Sequence, residues 1–491
     1  MYEKNIGTKQ KALRINLDRR IYGSFAEIGA GQETAAMFFK AGGSSGTIAK
    51  TMSAYDMTFS DSIYGVEESG RYVVESRLVK MLSKEYSLLE KRLAEKRGSE
   101  TTFFAFANTV VALNYQKTND AHGWIGCRFQ LSPQAGYNDV IIHVKMMDNE
   151  NVVQQQALGV IGVNLIYGAF YYAKSPETLV LSLMDDLTPD RIQIDMIRFS
   201  GPDFAGVDNR LMSLHLVRNG FTDAALFGAD GQVLQPSEAL YKKNILVMRG
   251  RLRPVTNVQM DMIENGVKQF KAEHDVDENR VVSIAELTLH NLKSSDQSID
   301  EKDFLDRVDI LCSMGQTVMI SNYLEYYKLV AYLARLTRLK IGLVVGIPNL
   351  EYIFEEDHYE FLPGGILESF ATLFSRKVKL FVYPTLRNDA VYTCNEFELP
   401  PTLEPLFQYL VRNDKIEDIT DYNEENLHIS TNRVLEMIQQ GEDGWEQMVP
   451  ERVAQRIKDY CLFGYPCEVD YVPIGQQVRQ KQEEQLTPDA Q

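Results

Sequence analysis

Hydrophobic and polar positions change rhythm near residue 240 of this chain. After that point, short apolar runs alternate with amphipathic stretches. Residues 245–248, 281–287, 317–321, 340–345 and 378–383 read as strands. Between them, 257–271, 298–314, 324–337 and 365–374 read as helices, the second opened by a Ser298–Glu301 capping box. Such βα alternation predicts an open, Rossmann-like, doubly wound parallel sheet of five strands. Ligands of such sheets sit at the carboxyl ends of the strands, near the point where strand order reverses. Before residue 240 the pattern is mixed. Residues 75–97 form an amphipathic helix stopped by Gly98, and 102–107, 124–131, 139–146 and 192–199 read as strands. These strands do not alternate strictly with helices, so an α+β region is expected. The fold class is therefore α/β: an N-terminal α+β region over 1–240, then a Rossmann-like domain over 241–468. The Gln- and charge-rich tail, 475–491, is expected to be disordered.

Composition narrows the function. At 491 residues the chain has room for roughly two to four domains. Its formal charge of −17 argues against a general nucleic-acid binder or a protein of anionic membranes. The first residues lack the apolar core of a signal peptide. The apolar stretch 157–173 holds Gly159, Gly162, Asn164 and Gly168, and is too short and interrupted to span a bilayer comfortably. Five scattered cysteines (Cys127, Cys312, Cys394, Cys461, Cys467) fit free thiols in a cytoplasmic protein.

Against that acidic background, 244–259 stands out: N-I-L-V-M-R-G-R-L-R-P-V-T-N-V-Q. A buried strand delivers Arg249, Arg251 and Arg253 to the mouth of a helix. Thr256 can cap that helix, with Gln259 at the capping-box position. Backbone N–H groups at a helix N-terminus already favour anions, so a phosphate is the simplest ligand.

This segment resembles the nucleotidylyltransferase signature, G-x-F-x-P-x-[T/H]-x-G-H. Four more blocks follow in family order. V-V-G-I-P-N-L at 344–350 resembles the G-x-D-x-L turn, and L-F-V-Y-P at 380–384 the next strand. H-I-S-T-N-R at 428–433 resembles I-S-S-T-x-x-R, and M-V-P-E-R-V-A-Q-R-I-K-D-Y-C-L at 448–462 the closing helix. Order and spacing look most like nicotinate or nicotinamide mononucleotide adenylyltransferases, over about 244–465.

The resemblance implies transfer of AMP from ATP, with Mg²⁺, to a mononucleotide. By position, Arg251, Thr256 and Gln259 take the catalytic places. Gly250, Arg253, Pro254, Gly346, Asn349, Ser430, Thr431 and Arg433 take the nucleotide-binding ones. No protein-bound metal site is implied. Departures accompany the match. The motif's Gly-His is Val258-Gln259, so a neutral donor replaces a charged one. Pro348 replaces an acidic residue, and Arg433 stands one position closer to Thr431 than usual. Two readings follow: a mononucleotide adenylyltransferase, or a non-catalytic nucleotide-binding or assembly protein on the same fold. The expected partner is a small-molecule nucleotide rather than nucleic acid or membrane, and self-association into a homo-oligomer stays open. The whole chain also resembles a bacterial family bearing two labels, nicotinate-nucleotide adenylyltransferase and TonB-dependent receptor. The second requires many alternating strands of ~10 residues, a pattern not seen in this sequence.

Other motifs weigh less. E-I-G-A-G-Q-E at 27–33 lacks the third glycine of a dinucleotide turn, and A-G-G-S-S-G-T at 41–47 lacks the lysine of a P-loop. Asp203, Asp208 and Arg210 could form a second site, although Asp208 is also a plausible helix cap. Among the histidines, His290 is the best placed, beyond the second strand of the Rossmann-like sheet.

Overall fold

The computed structural model describes residues 6–293, 298–374 and 377–467. The tail expected from 475 onward lies outside them. The chain divides into two compact units, Met1–Asp223 and Ala224–Gln491.

The first unit carries a six-stranded sheet. Its strands are β1 (Ile21–Gly29), β2 (Ile48–Ala54), β3 (Thr102–Val111), β4 (His122–Phe129), β5 (Asn138–Met146) and β6 (Ile192–Ser200), in the order β2-β1-β3-β4-β5-β6. β1 runs parallel to β2 and β3, and the remaining pairs are antiparallel. The α+β expectation holds, with a parallel β1–β2 pair that sequence reading did not find. The apolar stretch near 157–173 belongs to the Asn151–Tyr171 helix, whose residues from Ala157 to Ala169 are mostly buried in the core of this unit. Among the described residues, no helix is long and apolar enough to cross a membrane.

The second unit is built on an eight-stranded sheet. It opens with β7 (Ala224–Phe227) and β8 (Val233–Leu234). Then come β9 (Asn244–Arg249), β10 (Val281–Thr288), β11 (Thr317–Ser321), β12 (Ile341–Gly346) and β13 (Val378–Tyr383). A small separate hairpin, β14 (Thr385–Arg387) and β15 (Ala390–Tyr392), precedes the last strand, β16 (Ile416–Asp418). Spatial order is β16-β13-β12-β9-β10-β11-β7-β8. From β16 to β11 every pair is parallel, so the parallel core has the doubly wound 3-2-1-4-5-6 order. Strand order reverses between β9 and β12. The five expected strands are present, and β16 makes a sixth. Residues 224–239, read from the sequence as part of the first region, belong here: β7 pairs antiparallel with β11, and β8 with β7.

Local chemistry explains these elements. β9 is buried along nearly its whole length, as a parallel strand covered on both faces must be. The following helix, Asn257–Ala272, buries Met260, Ile263, Gly266 and Phe270. A Cβ on Gly266 would stand 2.5 Å from Val344 Cγ2, so only glycine lets this helix lie so close to β12. One cap differs from expectation. The Glu301–Ser313 helix is capped by Asp300, whose carboxylate accepts from Lys302 N and Asp303 N, rather than by Ser298.

The free-thiol expectation also needs correction. Cys461 ends the Glu451–Tyr460 helix with φ +52°, and the turn Leu462–Gly464 brings the chain back. Cys467 then forms a disulfide with Cys461, their Cα atoms 5.8 Å apart. Cys127, Cys312 and Cys394 are not in disulfides. A six-residue separation reveals no pairing until the path of that turn is known.

Candidate functional site

β9 ends in Arg249, and this first arginine of the turn serves the sheet. Its Nε donates to Glu286 at 2.9 Å and its Nη2 at 3.0 Å, and its guanidinium lies 4.4 Å from the Tyr326 ring centroid. Ser321 Oγ donates to the same carboxylate at 2.6 Å. Burial works against the charge on Arg249, but Glu286 outweighs it and the pKa is raised. The cluster joins β9, β10 and β11.

Beyond it the turn is pinned by Leu252, which is fully buried with φ +49°. A left-handed backbone is uncommon for such a side chain and is held by its surroundings. On either side, Arg251 and Arg253 face a cavity of about 320 Å³. His290, Asn291 and Lys293 line it from beyond β10, and Asp300, Asp303 and Arg307 from the Glu301–Ser313 helix and its cap. Thr431, Asn432 and Leu435 close it from the first turns of the Thr431–Gln440 helix.

The electrostatics favour an anion. Arg251, Arg253, Lys293 and Arg307 outnumber the two carboxylates, and both carboxylates are committed. Asp300 caps its helix. Asp303 bridges Arg253 Nε and Arg307 Nη2. Arg307 also donates to the backbone oxygens of Arg251 at 3.0 Å and Asn291 at 3.2 Å, tying the two loops together. Burial lowers its pKa, with Asp303 opposing. Its Nε is buried without a hydrogen-bond partner. Arg251 is different: its guanidinium is exposed and makes no ion pair or hydrogen bond among the described residues. An N-terminal helix turn, one unpaired guanidinium and a partly satisfied one are donors of the kind that hold anions. This donor set does not fit a resident Mg²⁺, because neither carboxylate is left to ligate it.

Of the residues selected from the sequence, this cavity gathers Arg251, Arg253, His290 and Thr431. Gly250, Pro254, Thr256 and Gln259 lie in the same turn and helix start without lining it. Gln259 Oε1 accepts from Thr256 N at 3.1 Å, and its Nε2 lies 3.8 Å from where a Cβ on Gly250 would stand. Thr256 Oγ1 is buried and unpartnered. Gly346 ends β12 and Asn349 lies in the helix after it, whereas the cavity sits one strand over, at the ends of β9 and β10. Ser430 is an exposed helix cap. Arg433 turns away from the cavity and pairs with Glu442 at 2.6 Å and Glu436 at 3.6 Å.

Sequence reasoning missed Arg307, Lys293 and Asn432. A signal for Arg307 exists: it lies three residues after Phe304 and four before Leu311, on the buried face of its helix. In the first unit, Asp208 caps the Asn209–Arg218 helix and pairs with Arg210, and Asp203 accepts from Asn138 at 2.8 Å. These groups are spent on local structure.

No family model matches this chain, and no curated protein matches it. Solved structures do. Nicotinic acid mononucleotide adenylyltransferase of Plasmodium falciparum, complexed with APC, is 12% identical, with 46% of this chain and 98% of that chain covered and a TM-score of 0.29. Competence/damage inducible protein CihA of Agrobacterium tumefaciens is 16% identical over 33% of this chain and 93% of its own, with a TM-score of 0.23. A competence-damaged protein (CinA) superfamily protein of Enterobacter cloacae is 11% identical over 34% and 93%, with a TM-score of 0.24.

Proposed function

We propose that the second unit is a nucleotidyltransferase-like domain that grips the phosphates of ATP in the Arg251 cavity. Its reaction would be adenylyl transfer to a mononucleotide such as nicotinate mononucleotide. The acceptor's phosphate oxygen forms a bond to the α-phosphorus of ATP, the bond from that phosphorus to the bridging oxygen breaks, and pyrophosphate leaves. Arg251, Arg307 and the N-terminus of the Thr431–Gln440 helix would hold the phosphate charge. Such chemistry relies on alignment and electrostatic stabilisation, which fixed cations and backbone donors supply. The observation that carries this reading is the unpaired Arg251 guanidinium sharing one cavity with Thr431.

One feature favours the second reading, a binding protein without turnover. Gln259 occupies the place of the motif's histidine, and its carbonyl oxygen is committed to Thr256 N. It therefore offers a neutral donor only. Thermal denaturation with ATP, with and without Mg²⁺, tests the site: wild type should be stabilised and Arg251→Ala should not. Pyrophosphate release on adding nicotinate mononucleotide then separates the two readings. An unchanged response in Arg251→Ala would overturn both.

A further inference from the structure

The first unit holds a second cavity, lined by its own residues. Along β1, Ile21 and Phe25 enter the hydrophobic core, so Tyr22 and Ser24 point to the opposite face, toward the Glu75–Arg97 helix. That helix presents Glu85, Leu88, Leu89, Arg92 and Leu93, which fall at i, i+3, i+4, i+7 and i+8 of one face. Lys50 on the edge strand β2 completes the wall of a space of about 220 Å³.

Its polar groups are unequally satisfied. Glu85 is buried and fully used: one oxygen accepts from the Tyr64 hydroxyl at 2.8 Å and the other pairs with Lys50. Ser24 is 2% exposed, and its hydroxyl has no hydrogen-bond partner. A buried, unpaired hydroxyl is costly unless a ligand or water satisfies it. Arg92 is exposed and makes no ion pair or hydrogen bond among the described residues. The cavity thus offers one uncommitted positive charge, one hydroxyl donor and a leucine wall.

The geometry points to a binding site for a small monocarboxylate with an apolar tail. The carboxylate takes the Ser24 hydroxyl and the Arg92 guanidinium, and the tail lies on Leu88, Leu89 and Leu93. A single negative charge suits the site, since the Glu85 carboxylate inside it repels a dianion. The volume lies below that of sites for drug-sized ligands, which selects a short acid.

Hexanoate and its neutral isostere hexanamide test this on the full chain, by saturation-transfer NMR and titration calorimetry. Hexanoate should bind saturably and hexanamide about tenfold more weakly, as expected for loss of a charge-assisted hydrogen bond. Arg92→Gln, at an exposed position, should weaken hexanoate about tenfold and leave hexanamide unchanged. Ser24→Ala should weaken hexanoate while leaving the free protein as stable as wild type or more so, because it removes an unsatisfied group. No saturable hexanoate binding, equal binding of hexanamide, equal binding of inorganic phosphate, or indifference to both substitutions would each overturn the proposal.

Discussion

Arginines of one turn divide their work by burial. Arg249 and Glu286 are register partners across β9 and β10, and their pairing is set by the sheet. The sequence shows a strand ending in arginine, but the facing carboxylate stays hidden until the register is known. Arg251 and Arg253 were legible because a cationic turn in so acidic a chain needs a reason. Arg307 was harder to read: its place on the buried face of its helix is a signal, but nothing in the sequence ties that helix to the arginine turn. Stability should expose the difference. Arg251→Ala, at an exposed position, should change the unfolding free energy by no more than about 0.5 kcal/mol. Arg307→Met strips the buried Asp303 carboxylate of one partner and should cost about 3–5 kcal/mol. Urea denaturation of both variants measures the contrast.

At the level of elements, parallel strands were readable where both faces are covered, because coverage writes an apolar run. β16, I-E-D, has no such run and takes its place from β13 alone. β1 escaped notice because Gly23, Ser24 and Glu27 interrupt it, each for a local reason. Gly23 lies against Phe104, Ser24 faces the second cavity, and Glu27 accepts from the first turn of the Glu33–Ala41 helix. Three neighbouring strands carry a titratable chain. His143 on β5 meets Asp195 on β6 at 2.5 Å through Nδ1 and His122 on β4 at 3.0 Å through Nε2. Asp195 also pairs with Lys145, and burial, joined by the nearby His143, lowers the His122 pKa to about 4. The neutral imidazole is the folded form. Its contribution is therefore full above the ordinary value near 6.5 and drains as pH falls toward about 4. Melting temperatures across that window should drop less for His122→Asn than for wild type.

For the whole molecule, every residue lining the Arg251 cavity lies in the second unit. A fragment spanning 224–491 should therefore keep the ATP-induced rise in melting temperature shown by the full chain, measured side by side. The Cys461–Cys467 bridge closes a short loop, and its reduction should cost about 2 kcal/mol by the chain-entropy relation, read as a lower urea midpoint in dithiothreitol. The cavity's walls come from far apart in the chain: Arg251 from one, Thr431 about 180 residues later. A ribosome adding about 5–20 residues per second takes on the order of ten to forty seconds between them. Throughout that interval the nascent polypeptide carries its cationic bend without the opposing helix, so the proposed grip on an anion cannot close from both sides until Thr431 has been added.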